Sequence, residues 1–171
     1  MSTVDVERTI RAARTRRDIE EVRALLLDYA AWIKVDLCFQ NFSAELAGLP
    51  GDYARPGGTL LILRIEDEVA GCIAVRKIRG KDCEMKRLFV RDAFRGHGGG
   101  RALALRAVQW ARRAGYGRMF LDTLPVMSAA QKMYEDLGFV DTEPYRENPV
   151  KGARFMTVSY THLTLPTIYS V

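Results

Sequence analysis

Apolar positions along the 171-residue chain change period several times, and the changes mark its elements. Ile19, Val22, Leu25, Leu26, Tyr29 and Trp32 recur at helical spacing behind Thr15-x-x-Asp18, which reads as a capping box. A loosely alternating stretch, Thr9 to Ala13, precedes it as a candidate strand, and Asn41 to Leu49 reads as a shorter helix stopped by Pro50-Gly51. Thr59 to Ile65 and Val69 to Ile78 are apolar, β-branched runs separated by Glu66-Asp67-Glu68, a hairpin signal. Cys83 to Val90 supplies a third consecutive strand, whose alternation predicts Glu84, Lys86, Leu88 and Val90 on one face and Cys83, Met85, Arg87 and Phe89 on the other. Next come a helix from Arg101 to Ala114, a strand from Arg118 to Thr123, and a helix from Val126 to Leu137 closed by Gly138 and Phe139. Phe139-Val140 and Ala153 to Val158 supply two last strands. This order of elements restricts the fold to the α/β or α+β class.

Composition narrows the class of molecule. Hydrophobic residues at 48% and charged residues at 27% fit one globular domain with a real core. The net charge of +5 comes from arginines spread from Arg8 to Arg154, without the concentrated stripe of a nucleic-acid binder. Cys38, Cys72 and Cys83 have no metal-type spacing, so free thiols in a reducing compartment are expected, with no metal. No stretch is long and apolar enough to span a membrane, and the charged N-terminus predicts a cytoplasmic protein.

The chemistry concentrates between the third strand and the helix after it. Arg95-Gly96-His97-Gly98-Gly99-Gly100-Arg101 has four glycines in five positions. At a helix N-terminus such bare amides form an anion site; otherwise they form a flexible turn. Arg101-Ala102 stands where a P-loop needs Lys-Ser/Thr, and Arg101 where a dinucleotide fingerprint needs its third glycine, so neither motif is met.

The spacing Arg95-x-x-Gly98-x-Gly100 resembles the acyl-CoA pyrophosphate loop of the GCN5-related N-acetyltransferases, the GNAT superfamily. Met127-x-x-Ala130-x-x-x-Tyr134-x-x-x-Gly138-Phe139 is similar to that superfamily's Asn-x-x-Ala-x-x-x-Tyr-x-x-x-Gly-Phe segment, with Met127 in place of asparagine. The resemblance spans roughly Thr9 to Met156. It implies a mixed, mostly antiparallel central sheet with helices on both faces, splayed between strands 4 and 5. It also implies acetyl-CoA bound by Arg95, Gly96, His97, Gly98, Gly99, Gly100 and Arg101, with its pantetheine arm along the main chain of Leu88, Phe89 and Val90. Tyr134 takes the place of the tyrosine that protonates the departing thiolate, and the main-chain N–H of Leu88 that of the oxyanion donor. Glu84 is the candidate base for the amine; its other reading is a buried partner of an arginine. Acceptor contacts are expected from Trp32, Asp36, Phe39 and Gln40 and from Tyr145, Arg146 and Asn148, with Asp36, Phe39 and Tyr145 as the candidates carried forward.

The implied activity is direct acetyl transfer to a primary amine of a small molecule. The alternatives are a protein or peptide amine as acceptor, or an acyl-CoA-binding module without catalysis. A homodimer is left open. Residues 158–171 carry no Lys, Arg, Asp or Glu and resemble a translated sequencing adapter, which predicts a domain of residues 1–157 and a non-native tail containing His162.

Overall fold

The computed structural model describes residues 6–34, 37 and 41–160. Among them, seven strands form one sheet in the order β1-β2-β3-β4-β5-β7-β6. The strands are β1 (Arg8–Ala12), β2 (Thr59–Ile65), β3 (Glu68–Arg79), β4 (Asp82–Val90), β5 (Arg118–Thr123), β6 (Val140–Asp141) and β7 (Arg154–Ser159). Every pairing is antiparallel except β4 with β5. Those two are bonded only where Asp82–Glu84 lies against Arg118–Phe120, and both strands run on past that point. The sheet is therefore splayed between its fourth and fifth strands, and β4 beyond Glu84 has an unpaired edge there.

Helices cover both faces. α1 (Arg16–Ile33) starts in the expected capping box, with the Asp18 amide donating to Thr15 Oγ1 at 3.0 Å and the Thr15 amide to Asp18 Oδ2 at 3.0 Å. With α2 (Phe42–Gly48) it covers one face, where Val22, Leu25 and Leu26 meet Leu60, Ile62 and Phe89. α3 (Gly99–Arg113) and α4 (Ser128–Asp136) cover the other, with Leu103, Ala107 and Tyr134 among Leu63, Met85 and Met119. Because β2 is buried on both faces, it reads as an uninterrupted apolar run. The pairing of β3 with β4 leaves no room for a side chain at Gly71, where a Cβ would lie 2.4 Å from the Phe89 carbonyl oxygen. Gly71→Ala should destabilise the fold by about 1–3 kcal/mol, read as a lower midpoint in urea unfolding; an unchanged midpoint would contradict this packing.

The structure corrects three expectations. The helix foreseen from Val126 begins as a 3-10 turn, Pro125–Met127, before α4. The alternation of β4 breaks at Arg87: Ile73 of β3 stands opposite both Arg87 and Leu88, because Cys72 pairs with Phe89 and Ala74 with Lys86. Arg87 takes φ 61°, and this bulge puts Leu88 and Val90 on the side of Cys83 and Met85, with Phe89 on the α1 side. The last strand, foreseen to end at Val158, ends one residue later, at Ser159. Val158 is 2% exposed opposite Met119, and the Tyr160 hydroxyl donates to the Val108 carbonyl at 2.9 Å. Residues 161–171, with His162, lie outside the described residues, as do Asp36, Cys38, Phe39 and Gln40. Among the described residues no helix is long and apolar enough to cross a membrane.

Candidate active site

The glycine loop leads into the N-terminus of α3. Gly96 and Gly98 hold φ 84° and 76°, which side-chain-bearing residues rarely adopt. Gly98 caps α3 without a side chain, and the first intrahelical bond runs from the Ala102 amide to the Gly98 carbonyl at 3.0 Å. The Gly99 and Gly100 amides precede it, at the positive end of a 15-residue helix. Sterically bare and electrostatically positive, this turn fits a phosphate group.

From the turn a groove of about 360 Å³ runs between β4 and α4. Leu88, Phe89 and Val90, Gly96 and Gly98 to Gly100, and Ser128 to Ala130 line it, with Tyr134 at its inner end. The free β4 edge offers main-chain groups to an extended ligand, as a neighbouring strand would. Arg95 forms part of the wall. Its Nε donates to the Val90 carbonyl at 2.8 Å, and its guanidinium lies 4.6 Å from the Trp32 ring centroid and 5.6 Å from that of Phe89. Trp32 thus belongs to this groove and not to the acceptor side. His97 and Arg101 do not line it; the His97 carbonyl instead accepts from Arg8.

Leu88, Met127 and Tyr134 also line a second, smaller space of about 50 Å³ with Lys86, Asp122, Arg146 and Asn148. Lys86 and Arg146 in turn border an open cleft of about 460 Å³ with Glu45, Asp52 and Arg76. A chain of shared walls thus connects the glycine loop to a polar cleft through the splay of the sheet. Tyr134 stands at the crossing, 6% exposed, and burial raises its phenol above the ordinary tyrosine value, so it carries its proton throughout the physiological range.

Charges around the cleft are largely matched. Arg87 donates from Nε and Nη2 to the two Glu45 oxygens at 2.9 and 3.0 Å, and Arg146 Nη2 donates to Asp122 at 2.7 Å. Glu84 is fully buried and lines none of the three spaces. One of its oxygens accepts from Arg76 Nε at 2.9 Å; the other accepts from the Tyr145 hydroxyl and lies 3.2 Å from Arg146 Nε. Of its two expected readings, this is the arrangement of an arginine partner. Tyr145 packs between Phe120 and Phe155, with centroids 5.2 and 5.7 Å away, and lines none of the three spaces; its neighbours Arg146 and Asn148 reach the site instead. Sequence reasoning gave no role to Lys86, Arg76 or Glu45. The available signal was the charged triple Glu84, Lys86 and Arg87 inside the otherwise apolar run from Cys83 to Val90.

Lys86 differs from its neighbours. It is 6% exposed and has no ion-pair partner among the described residues. Burial pushes its ammonium down to about 7, with Arg87, Arg146 and Arg76 acting in the same sense against Glu84.

Comparisons with known proteins agree with this fold. The model of the acetyltransferase (GNAT) family matches residues 19–139. An uncharacterized N-acetyltransferase of Schizosaccharomyces pombe is 37% identical over 150 residues, covering 86% of this chain and 92% of the relative. A GNAT-family acetyltransferase from Staphylococcus aureus superposes with a TM-score of 0.74 at 20% identity, covering 90% of this chain and 99% of that one. The PaiA N-acetyltransferase of Thermoplasma acidophilum, solved in complex with coenzyme A, gives 0.68 at 18% identity, covering 90% and 99%.

Proposed function

The chain belongs to the GNAT family of acetyltransferases, matched over residues 19–139, and from that premise we propose that it transfers an acetyl group from acetyl-CoA directly to the primary amine of a small molecule. The observation that carries this reading is the shared wall at Leu88 and Tyr134, which joins a phosphate-binding turn and apolar groove to a separate polar cleft. When bound, acetyl-CoA supplies an acetyl thioester, whose transfer calls for a neutral amine, oxyanion stabilisation and a proton for the leaving sulfur. The Gly96–Gly100 turn binds the pyrophosphate, and the β4 edge at Leu88–Val90 orients the arm. The bulge at Arg87 and Leu88 supports the Leu88 N–H as oxyanion donor, since it frees β4 from its ladder beside Tyr134. Tyr134 holds the proton. Glu84, engaged on both oxygens, is a positioning residue for Arg76 and Arg146, and the amine loses its proton to water in the open cleft.

Two separate binding spaces support direct transfer without an acylated enzyme. Cys72 and Cys83 are buried, and burial pushes both thiols up to about 12, so neither is a thiolate at neutral pH. Given radiolabelled acetyl-CoA and a panel of primary amines, the protein should release CoA with the label on the amine and none on the protein. Label retained on a cysteine after gel filtration would overturn direct transfer, and no CoA release with any amine would overturn the enzymatic reading.

A further inference from the structure

Four cationic side chains converge where the splay meets the cleft, and three of them have a carboxylate of their own. Arg87 is held by Glu45, Arg146 by Asp122 and Arg76 by Glu84. Lys86 is the remainder. Asp52 also lies 3.7 Å from Arg76, but its carboxylate is 80% exposed and screened by water. The pocket therefore carries one positive charge in excess, and Lys86 lines both the small space beside Tyr134 and the open cleft.

An ammonium taken out of water without a counter-charge is unfavourable, and its lowered affinity for a proton expresses that cost. A ligand that brings one negative charge removes the penalty and gains a charge-assisted hydrogen bond. Since Lys86 shares the 50 Å³ space with Leu88 and Tyr134, both ends of one small molecule meet the two groups. Building on the acetyl-transfer reading, we propose that the acceptor amine carries a carboxylate, as an amino acid does, and that Lys86 binds it. One surplus charge matches a carboxylate better than a phosphate dianion, and a plain amine would add a second positive charge to a site that already has one too many.

The test pairs amino acids with the amines left when their carboxylate is removed. Each is titrated into the CoA-loaded protein by calorimetry and assayed for CoA release with acetyl-CoA. The carboxylate member of at least one pair should bind and turn over about 10- to 100-fold better. Lys86→Met, which keeps the length and apolar stem, should abolish that preference while leaving the affinity for CoA unchanged. Equal or better use of the decarboxylated amines, failure of every amino acid to bind, or a preference that survives Lys86→Met would each overturn the proposal. The wild-type comparison decides alone if the variant does not fold. Selective binding of amino acids without CoA release would overturn the transfer reading and leave the carboxylate site standing; CoA release without selectivity would do the reverse.

Discussion

Replacing Tyr134 by phenylalanine is expected to lower kcat by about 10²-fold or more while the Kd for acetyl-CoA stays within about twofold. The substitution removes one oxygen. The ring keeps its place in the groove wall and its contact with Phe139, whose centroid lies 5.8 Å away, so cofactor binding has little to lose. What disappears is a hydroxyl at the crossing of groove and cleft, kept protonated by burial, with Tyr29 and Asp122 adding in the same sense. A proton donor acts only as charge develops on the leaving group, so its loss should fall on kcat and kcat/KM alike. Because the phenol titrates well above the assay range, the basic limb of the wild-type pH profile should persist in the variant. Steady-state CoA release, with a separate equilibrium titration of CoA, distinguishes the outcomes. Equal losses of affinity and turnover would make Tyr134 a wall of the groove and no more.

Tyr134 and the glycine loop were legible in the sequence because their signals are local. A loop of fixed spacing after an apolar strand, and a tyrosine four residues before Gly138, need no knowledge of distant contacts. The same holds for the Thr15 cap, the β2-β3 hairpin and the turn at Gly138, where φ 98° ends the helix as expected. The β4 bulge was not legible in a local pattern: its Arg87 side chain finds its partner in Glu45, 42 residues away in the chain. Strict alternation is the right expectation for an isolated strand, and it fails where a bulge inserts one residue. The loop from 142 to 153 is a similar case. It has no periodicity, and it reaches the site because Arg146 and Asn148 both donate to Asp122 of β5. Tyr145 looked like the acceptor contact from its position in the chain, and in the fold its ring packs between Phe120 and Phe155, while the following Arg146 faces the cavity.

Removing the Glu45 carboxylate should have the largest effect on stability, about 3–5 kcal/mol for Glu45→Ala, because it strands a buried guanidinium. The Arg87 side chain is 2% exposed and that of Glu45 14%, and Arg87 also lies 5.1 Å from the Phe42 ring centroid and 5.8 Å from that of Tyr29. The pair holds more than two charges. Arg87 keeps a left-handed conformation that a side chain disfavours, and such a bulge persists only where its surroundings over-determine it. Burial raises the Glu45 carboxyl, but the Arg87 hydrogen bonds and charge outweigh this and bring it below the ordinary 4.5. A depressed carboxyl contributes stability that is fully present above that ordinary value and is lost as pH falls through the lower folded one. Acid unfolding of the wild type should therefore include a component below about pH 4.5 that Glu45→Gln lacks, measured as urea midpoints across pH. The double variant Glu45→Leu with Arg87→Met separates the pair's two roles. Replacing a buried ion pair by apolar residues of similar volume is often neutral, so much of the stability should return. The contact that fixed the bulge does not return, and Leu88 beside Tyr134 loses its alignment. Stability restored with kcat still depressed is the expected result; recovery of both would mean that the bulge holds without the pair.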